Sequence, residues 1–292
     1  MPLGIWTAAS GAAAQSQQVD IVANNLANAD TLGFKKDVQT FREYMATLER
    51  DHEAADIKRG PIKDQDFYPL DGRDSSYVII DGTHTNFKQG NLRVTNSNLD
   101  LALEGPGFIE VSTPSGIRYT RQGSLKLAMD GRLVTTDGHP VLAAQPLGLN
   151  GPAAQGGLPG GIQGAVAAPA GVDDASRFIS LKDRGNQISI NPRGEIYAGD
   201  EKIAQISVRE VMDSRKLQKR GANLYESRDP NNFLPTANRT QVRQGMLETS
   251  NVNPVEEMTN LIKANRLFEH DLKALKTYGD LMQREVNDIG KL

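Results

Sequence analysis

The 292-residue chain contains no cysteine, which removes disulfides, thiolate nucleophiles and cysteine-based metal sites together. Its four histidines, His52, His84, His139 and His270, share no helical or hairpin spacing, so a zinc or general-base site has no support. No basic segment followed by an apolar core opens the chain, and no later stretch reaches the roughly 20 apolar residues of a membrane-spanning helix. The expectation is a protein without membrane insertion and without a cleaved Sec-type signal. A formal charge of −3 offers no positive field to phosphate backbones, which argues against nucleic acid as a partner. Aromatic residues make up only 5% of the chain, so its cores should be lean and contacts between subunits should carry part of the stability.

What is present is concentrated at the two ends. From Leu3 to Leu26, Ile5, Ala9, Ala12, Ser16, Val19, Ala23 and Leu26 alternate spacings of four and three, the pattern of a helix with a mostly small-residue seam. Asn28, Asp30, Thr31 and Gly33 favour leaving the helix, which is predicted to end near Ala29. At the other end Asn253 suits an N-cap, Pro254 the first helical position and Glu256 the third, so a helix should begin at Pro254. Beyond it Met258, Leu261, Asn265, Phe268, Leu272, Leu275, Gly279, Met282, Val286 and Ile289 continue the three-four alternation. Heptads ask for a partner helix without naming it; the two ends pairing with each other is the reading adopted, and separate packing onto the middle of the chain is the alternative.

Between the ends the pattern changes to short alternating runs beside turn dipeptides. Asp71-Gly72, Asp81-Gly82, Asp130-Gly131 and Asp137-Gly138 mark turns, and strands are predicted at 99–103, 108–111, 124–127, 132–135, 188–190, 195–197 and 204–211. The expected fold is α+β, with long terminal helices pairing as a coiled coil and a mainly antiparallel β domain between them. The expected domains are a helical one from 1–45 and 246–292, a connector at 46–78, and a β domain from 79–144 and 173–245. A Gly/Ala/Pro-rich stretch at 145–172 should be a flexible insertion.

Candidates for chemistry fare poorly. Gly105 and Gly107 form a G-x-G, but no third glycine follows at dinucleotide-loop spacing and the surroundings read as β. The acids of the Asp-Gly turns lack the compact alternation of a calcium loop. Arg215, Lys216, Lys219 and Arg220 form a basic group that reads as a solvated face, with contact to an acidic neighbour as the alternative. No cofactor, metal or catalytic set is expected. The candidate subunit-interface residues are Ile5, Ala9, Ala12, Val19, Ala23 and Leu26 on the first helix, with Met258, Leu261, Phe268, Leu272, Leu275, Met282 and Val286 on the last. Asn24, Asn25 and Asn28 join them, because three amides near a helix end can make directed contacts with a neighbour or can cap their own helix.

Three runs carry a family resemblance. "ANNLANADTLGFKK" (Ala23–Lys36) resembles the N-terminal signature of the bacterial flagellar rod and hook family. "GMLETSNVNPVEEMTNLIKANRLFE" (Gly245–Glu269) is similar to its C-terminal signature. "LDLALEGPGFIEV" and "YTRQGSLKLAMDGRLVTTDGHPV" match its β-domain pattern. The length resembles the rod members more than the hook, and the C-terminal run is more similar to the proximal rod branch, the distal branch coming next. The resemblance implies a structural, non-enzymatic subunit of the hollow axial driveshaft in the basal body, across the periplasm. Its partners would be itself, neighbouring rod and hook subunits and the flagellar type III export apparatus. Phe41 and Met45, a Phe followed four residues on by Met, are similar to the export-gate pattern of early substrates of that apparatus. Their alternative is simple packing on one helical face. Two other functions compete: a secreted β-domain adhesin oligomerised by its helices, which the missing signal opposes, and a peptidoglycan hydrolase, for which no clustered acid, His or nucleophile set is found.

Overall fold

The computed structural model describes residues 2–45, 76–144, 177–182, 188–234 and 237–289. The Asp71-Gly72 turn, the 145–172 insertion and most of the 46–78 connector lie outside them. The chain forms an α+β fold of two units.

The first unit gathers Met1–Ala27, Asp37–His84 and Asn253–Leu292. Its helices are α1 (Pro2–Ala27) and α2 (Pro254–Ile289), which pack against each other. The predicted start of α2 is found as expected: the Asn253 side chain accepts the Val255 N–H at 3.1 Å, and the Glu257 N–H closes the first turn onto the Asn253 carbonyl at 3.0 Å. α1 ends at Ala27, two residues before the expected boundary, and turns through Asn28–Asp30. Gly11 permits close approach of the helices: a Cβ there would meet the Asp271 carboxylate of α2 at 3.2 Å. β1 (Asp37–Met45) pairs with β2 (Ser76–Thr85) in the same unit. Asp81-Gly82, read from sequence as a turn, instead runs through β2. The β-branched residues on both sides of it, Val78, Ile79, Ile80, Thr83 and Thr85, keep the backbone extended, and Thr40 of β1 donates its hydroxyl to the Gly82 carbonyl at 3.2 Å.

The second unit gathers Asn28–Lys36 and Thr85–Val252. Its strands begin with β3 (Leu92–Val94), β4 (Leu101–Glu104), β5 (Gly107–Thr113), β6 (Gly116–Thr120), β7 (Leu125–Leu127) and β8 (Leu133–Thr135). After residue 182 come β9 (Ile188–Ile190), β10 (Glu195–Ala198), β11 (Glu201–Gln205) and β12 (Val208–Glu210). The last are β13 (Leu217–Lys219), β14 (Leu224–Ser227), β15 (Gln241–Gln244) and β16 (Met246–Glu248). A five-stranded sheet runs β12-β5-β6-β14-β13, a three-stranded one β11-β10-β9, and β15-β4, β16-β3 and β7-β8 pair separately, all antiparallel. The main core is aliphatic, built on Leu101, Leu103, Ile109, Val111, Ile196 and Ile206. A smaller aromatic core stacks Phe87, Phe108 and Tyr225 edge to face, with ring centroids 5.3–5.7 Å apart.

Two segments expected to belong with the helices, 28–36 and 246–252, sit in this β unit. Polar bonds hold them there: the Gly33 N–H donates to the Glu248 carbonyl at 2.9 Å, and the Lys36 N–H to the Asn251 side chain at 2.8 Å. Periodicity registers helices and strands, and it is blind to such cross-links.

Candidate assembly surface and its buried anchor

α2 is amphipathic with an apolar surface wider than one seam. Glu257 and Ala264 are buried, and Leu261, Phe268 and Leu275 are half-buried on the same stripe, at spacings of four, three, four and seven. Leu261, Phe268 and Leu275 were expected on a seam; their expected companions Met258, Leu272, Met282 and Val286 are exposed. Positions three apart on a helix are separated by about 60° around its axis, so Met258 and Leu272 fall on the face next to that of Leu261, Phe268 and Leu275, while Met282, seven residues beyond Leu275, continues the inward stripe and is exposed near the helix end. Val255 and Ile262 extend the exposed face. The exposed apolar residues reach the end of the helix, where Leu281, Met282 and Val286 follow one another. α2 has 36 residues against 26 in α1, so about 15 Å of it has no counterpart of equal length.

On α1, Ala12, Ala14, Val22 and Asn25 are buried. Ile5, Ala9, Val19 and Leu26 are half-buried, while Ser16, Ala23 and Asn24 are exposed. Burial on α1 therefore includes Ala12 of the expected seam and extends to Ala14 and Val22, which the expected seam left out, and to Asn25. The three amides separate in role. Asn25 is spent inside the chain, donating to the Asp37 carbonyl at 2.8 Å and accepting the Asp37 N–H at 2.9 Å. Half-buried Asn28 accepts the Thr31 hydroxyl at 3.2 Å and ends its own helix. Asn24 points outward. Phe41 is exposed on β1, a strand that also holds Met45, so the two are not on a helical face.

The β unit hides a cluster that sequence reasoning missed. Lys35 Nζ lies 2.5 Å from Glu248 Oε1, and Arg121 Nη1 lies 3.3 Å from Glu248 Oε2, with all three side chains shielded from solvent. Glu248 Oε1 also accepts the Gly90 N–H at 2.8 Å. Lys35 further donates to the Lys88 carbonyl at 2.7 Å, and Arg121 Nη2 to the Gly105 carbonyl at 2.6 Å, its guanidinium lying over the Phe108 ring. The cluster holds two cations and one carboxylate, and Arg121 Nε finds no acceptor. Burial pulls the Lys35 ammonium below the usual lysine range, more strongly than Glu248 holds it up, and the charge of Arg121 pushes the same way. Gly33 brings the Lys35 segment close: its φ is +69° and a Cβ would sit 2.8 Å from the Arg121 carbonyl carbon. The available signal was a lysine, an arginine and a glutamate standing inside "GFKK", "YTRQG" and "MLETSN", three of the runs that carried the resemblance.

The basic group is largely neutralised at home. Arg215 pairs with Asp213, Lys216 with Asp229 and Arg220 with Glu226, while Lys219 lies over Phe34. Among the described residues, no group of three His, Cys, Asp or Glu is placed to hold a metal ion, and no helix is long and apolar enough to cross a membrane.

Comparison with known proteins agrees with this layout of helices and motifs. The family model of the flagellar basal body rod protein matches residues 5–35, that of the flagellar hook protein FlgE/F/G D1 domain residues 102–198, and that of the flagellar basal body rod FlgEFG protein C-terminal region residues 243–289. The flagellar basal-body rod protein FlgF of Caulobacter vibrioides is 31% identical over 278 residues, covering 94% of this chain and 93% of that protein. FlgG of Buchnera aphidicola is 30% identical, covering 96% and 97%, and FlgG of Bacillus subtilis 29% identical, covering 97% of each. Both rod names thus stand at nearly equal distance. With similarity of that order running from end to end, the chain belongs to the flagellar basal-body rod protein family.

Proposed function

We propose that the chain is a structural subunit that polymerises, with copies of itself and with neighbouring rod and hook proteins, into the hollow axis that transmits torque through the periplasm. The observation that carries this reading is the exposed apolar surface of α2: Val255, Met258, Ile262 and Leu272 on one face, with Met282 and Val286 towards the helix end, meet water in the single chain. Burial returns about 25 cal/mol per Å², so covering this face with a neighbouring helix stabilises an assembly that the isolated subunit cannot form. A coiled-coil inner layer of paired α1 and α2 segments, with the β unit outside it, is the arrangement proposed. Rotational load then passes through helix faces and through the cross-linked β unit. The interface residues proposed on α2 are Met258, Leu272, Met282 and Val286, with Ala23 and Asn24 on α1.

Delivery through the flagellar type III export apparatus without a cleaved signal is part of the same reading, and Phe41 with Met45 is the proposed gate contact. Purified basal bodies from a strain carrying a tagged copy test the whole. The chain should be found in the rod, at a copy number of many per motor, and its deletion should abolish motility. Motile cells whose basal bodies lack the chain would end the proposal.

A further inference from the structure

The buried cluster has an asymmetry in charge that gives its two chain segments different freedoms. Lys35 follows α1 in the sequence, Glu248 closes the last strand before α2, and Arg121 follows β6. If residues 28–36 lift away, Lys35 takes its ammonium into water and leaves Glu248 and Arg121 as a neutral pair, with the Gly90 N–H still on the carboxylate. The Lys88 carbonyl also keeps a donor, because the Asn251 amide reaches it at 3.0 Å. If residues 246–252 lift away first, Lys35 and Arg121 remain as two buried cations without an anion. That second state is far costlier, because an unpaired charge has lost its water and gained nothing.

We propose that the Lys35–Glu248–Arg121 cluster is an ordered latch, in which residues 28–36 dock on the β unit only after residues 246–252 are in place, and leave before them. Lys35 is thereby the last side chain in and the first out. The orphan Arg121 Nε and the surplus of donors fit this order, since the site is complete in charge before Lys35 enters. The consequence for the chain is that the segment next to α1 becomes fixed only once the segment next to α2 has been delivered. This inference does not depend on how subunits pack, so it stands or falls separately from the polymer.

Hydrogen exchange on the full-length chain, read by mass spectrometry in peptides covering 28–36 and 246–252, tests it. In the wild type the Gly33 and Lys36 amides should exchange about tenfold or more faster than the Thr249 amide, which is held by the Asn91 carbonyl. In Lys35→Met no ammonium has to be buried, and the ratio should fall toward one. Glu248→Gln should strip protection from 28–36 by about a hundredfold and by more than from β5, β6 and β14. Faster exchange of 246–252 than of 28–36 in the wild type would overturn the latch, and so would an unchanged ratio in Lys35→Met. The methionine variant keeps the question answerable even where Glu248→Gln fails to fold.

Discussion

Asn25 and Asp37 bond to each other twice, side-chain amide to backbone carbonyl at 2.8 Å and backbone N–H to side-chain oxygen at 2.9 Å. A buried side chain on α1 thus satisfies both backbone groups of the first residue of β1, as a neighbouring strand would. Asn25→Ala should cost about 1–3 kcal/mol, since two buried polar groups lose their partners. Asn25→Asp should not rescue it, because a carboxylate cannot donate to the carbonyl. Denaturant unfolding followed by fluorescence of Trp6, the only tryptophan and part of the same helix, measures the loss. A change below a few tenths of a kcal/mol would sink the assignment.

The ion cluster predicts two unlike outcomes from changes at adjoining groups. Glu248→Gln leaves two buried cations unpaired and should destabilise the β unit by about 3–5 kcal/mol. Lys35→Met leaves Arg121 and Glu248 balanced and should change stability by less than about 1 kcal/mol, in either direction. Chemical denaturation of both variants checks the contrast; equal losses would mean that charge balance is not what the cluster provides.

Individual helices and strands were legible in the sequence, and the bonds that hold 28–36 and 246–252 in the β unit were not. The start of α2 was readable because Asn253, Pro254 and Glu256 each favour one helix-entry position, and β9 was readable because Ile188 and Ile190 flank a polar residue between turn signals. The full buried surface of α1 was not, because alanine at 12, 13 and 14 weights every face alike. The ion cluster was hidden for another reason: lysine, arginine and glutamate are read as surface by default, and nothing local distinguishes a buried Lys35 from the exposed Arg42. The expected interface set split for a geometric reason, since Leu261 and Leu275 face inward while Met258 and Leu272 share the next face round.

That split sharpens the test of assembly. Leu272→Asp places its charge on a face that water already wets in the single chain, so stability of the subunit should stay within about 0.5 kcal/mol. Incorporation into the rod, and motility, should nevertheless be lost, with export measured separately. Leu275→Asp, half-buried within its own chain, should cost the subunit about 1–3 kcal/mol as well. Lys273→Asp, on an exposed position beside both, should leave assembly intact. Normal incorporation of Leu272→Asp would remove this face from the interface.

Acid should weaken the small sheet of β9, β10 and β11 through Glu195. Glu195 is pushed down to about 2, chiefly by its bond to Lys202 and then by the Asn191 amide, with Tyr197 adding a weaker bond. A folded-state value below the ordinary glutamate value of 4.5 means a contribution fully present above 4.5 that is lost as pH falls toward 2. Glu195→Gln should therefore flatten the acid limb of stability in that window and leave neutral pH nearly unchanged. Melting curves taken from pH 5 to 2 decide it; parallel acid limbs for the two proteins would refute the assignment.

The pairing of β3 with β16 and of β4 with β15 joins the first strands of the β unit to its last. Such ladders have large separations along the chain, and closing them carries the entropy of everything looped out between. Folding of this unit is accordingly slow by topology and incomplete until residue 248 has arrived. Under the delivery proposed above, that delay keeps the chain threadable over most of its length, and it locks only once residue 248 is through.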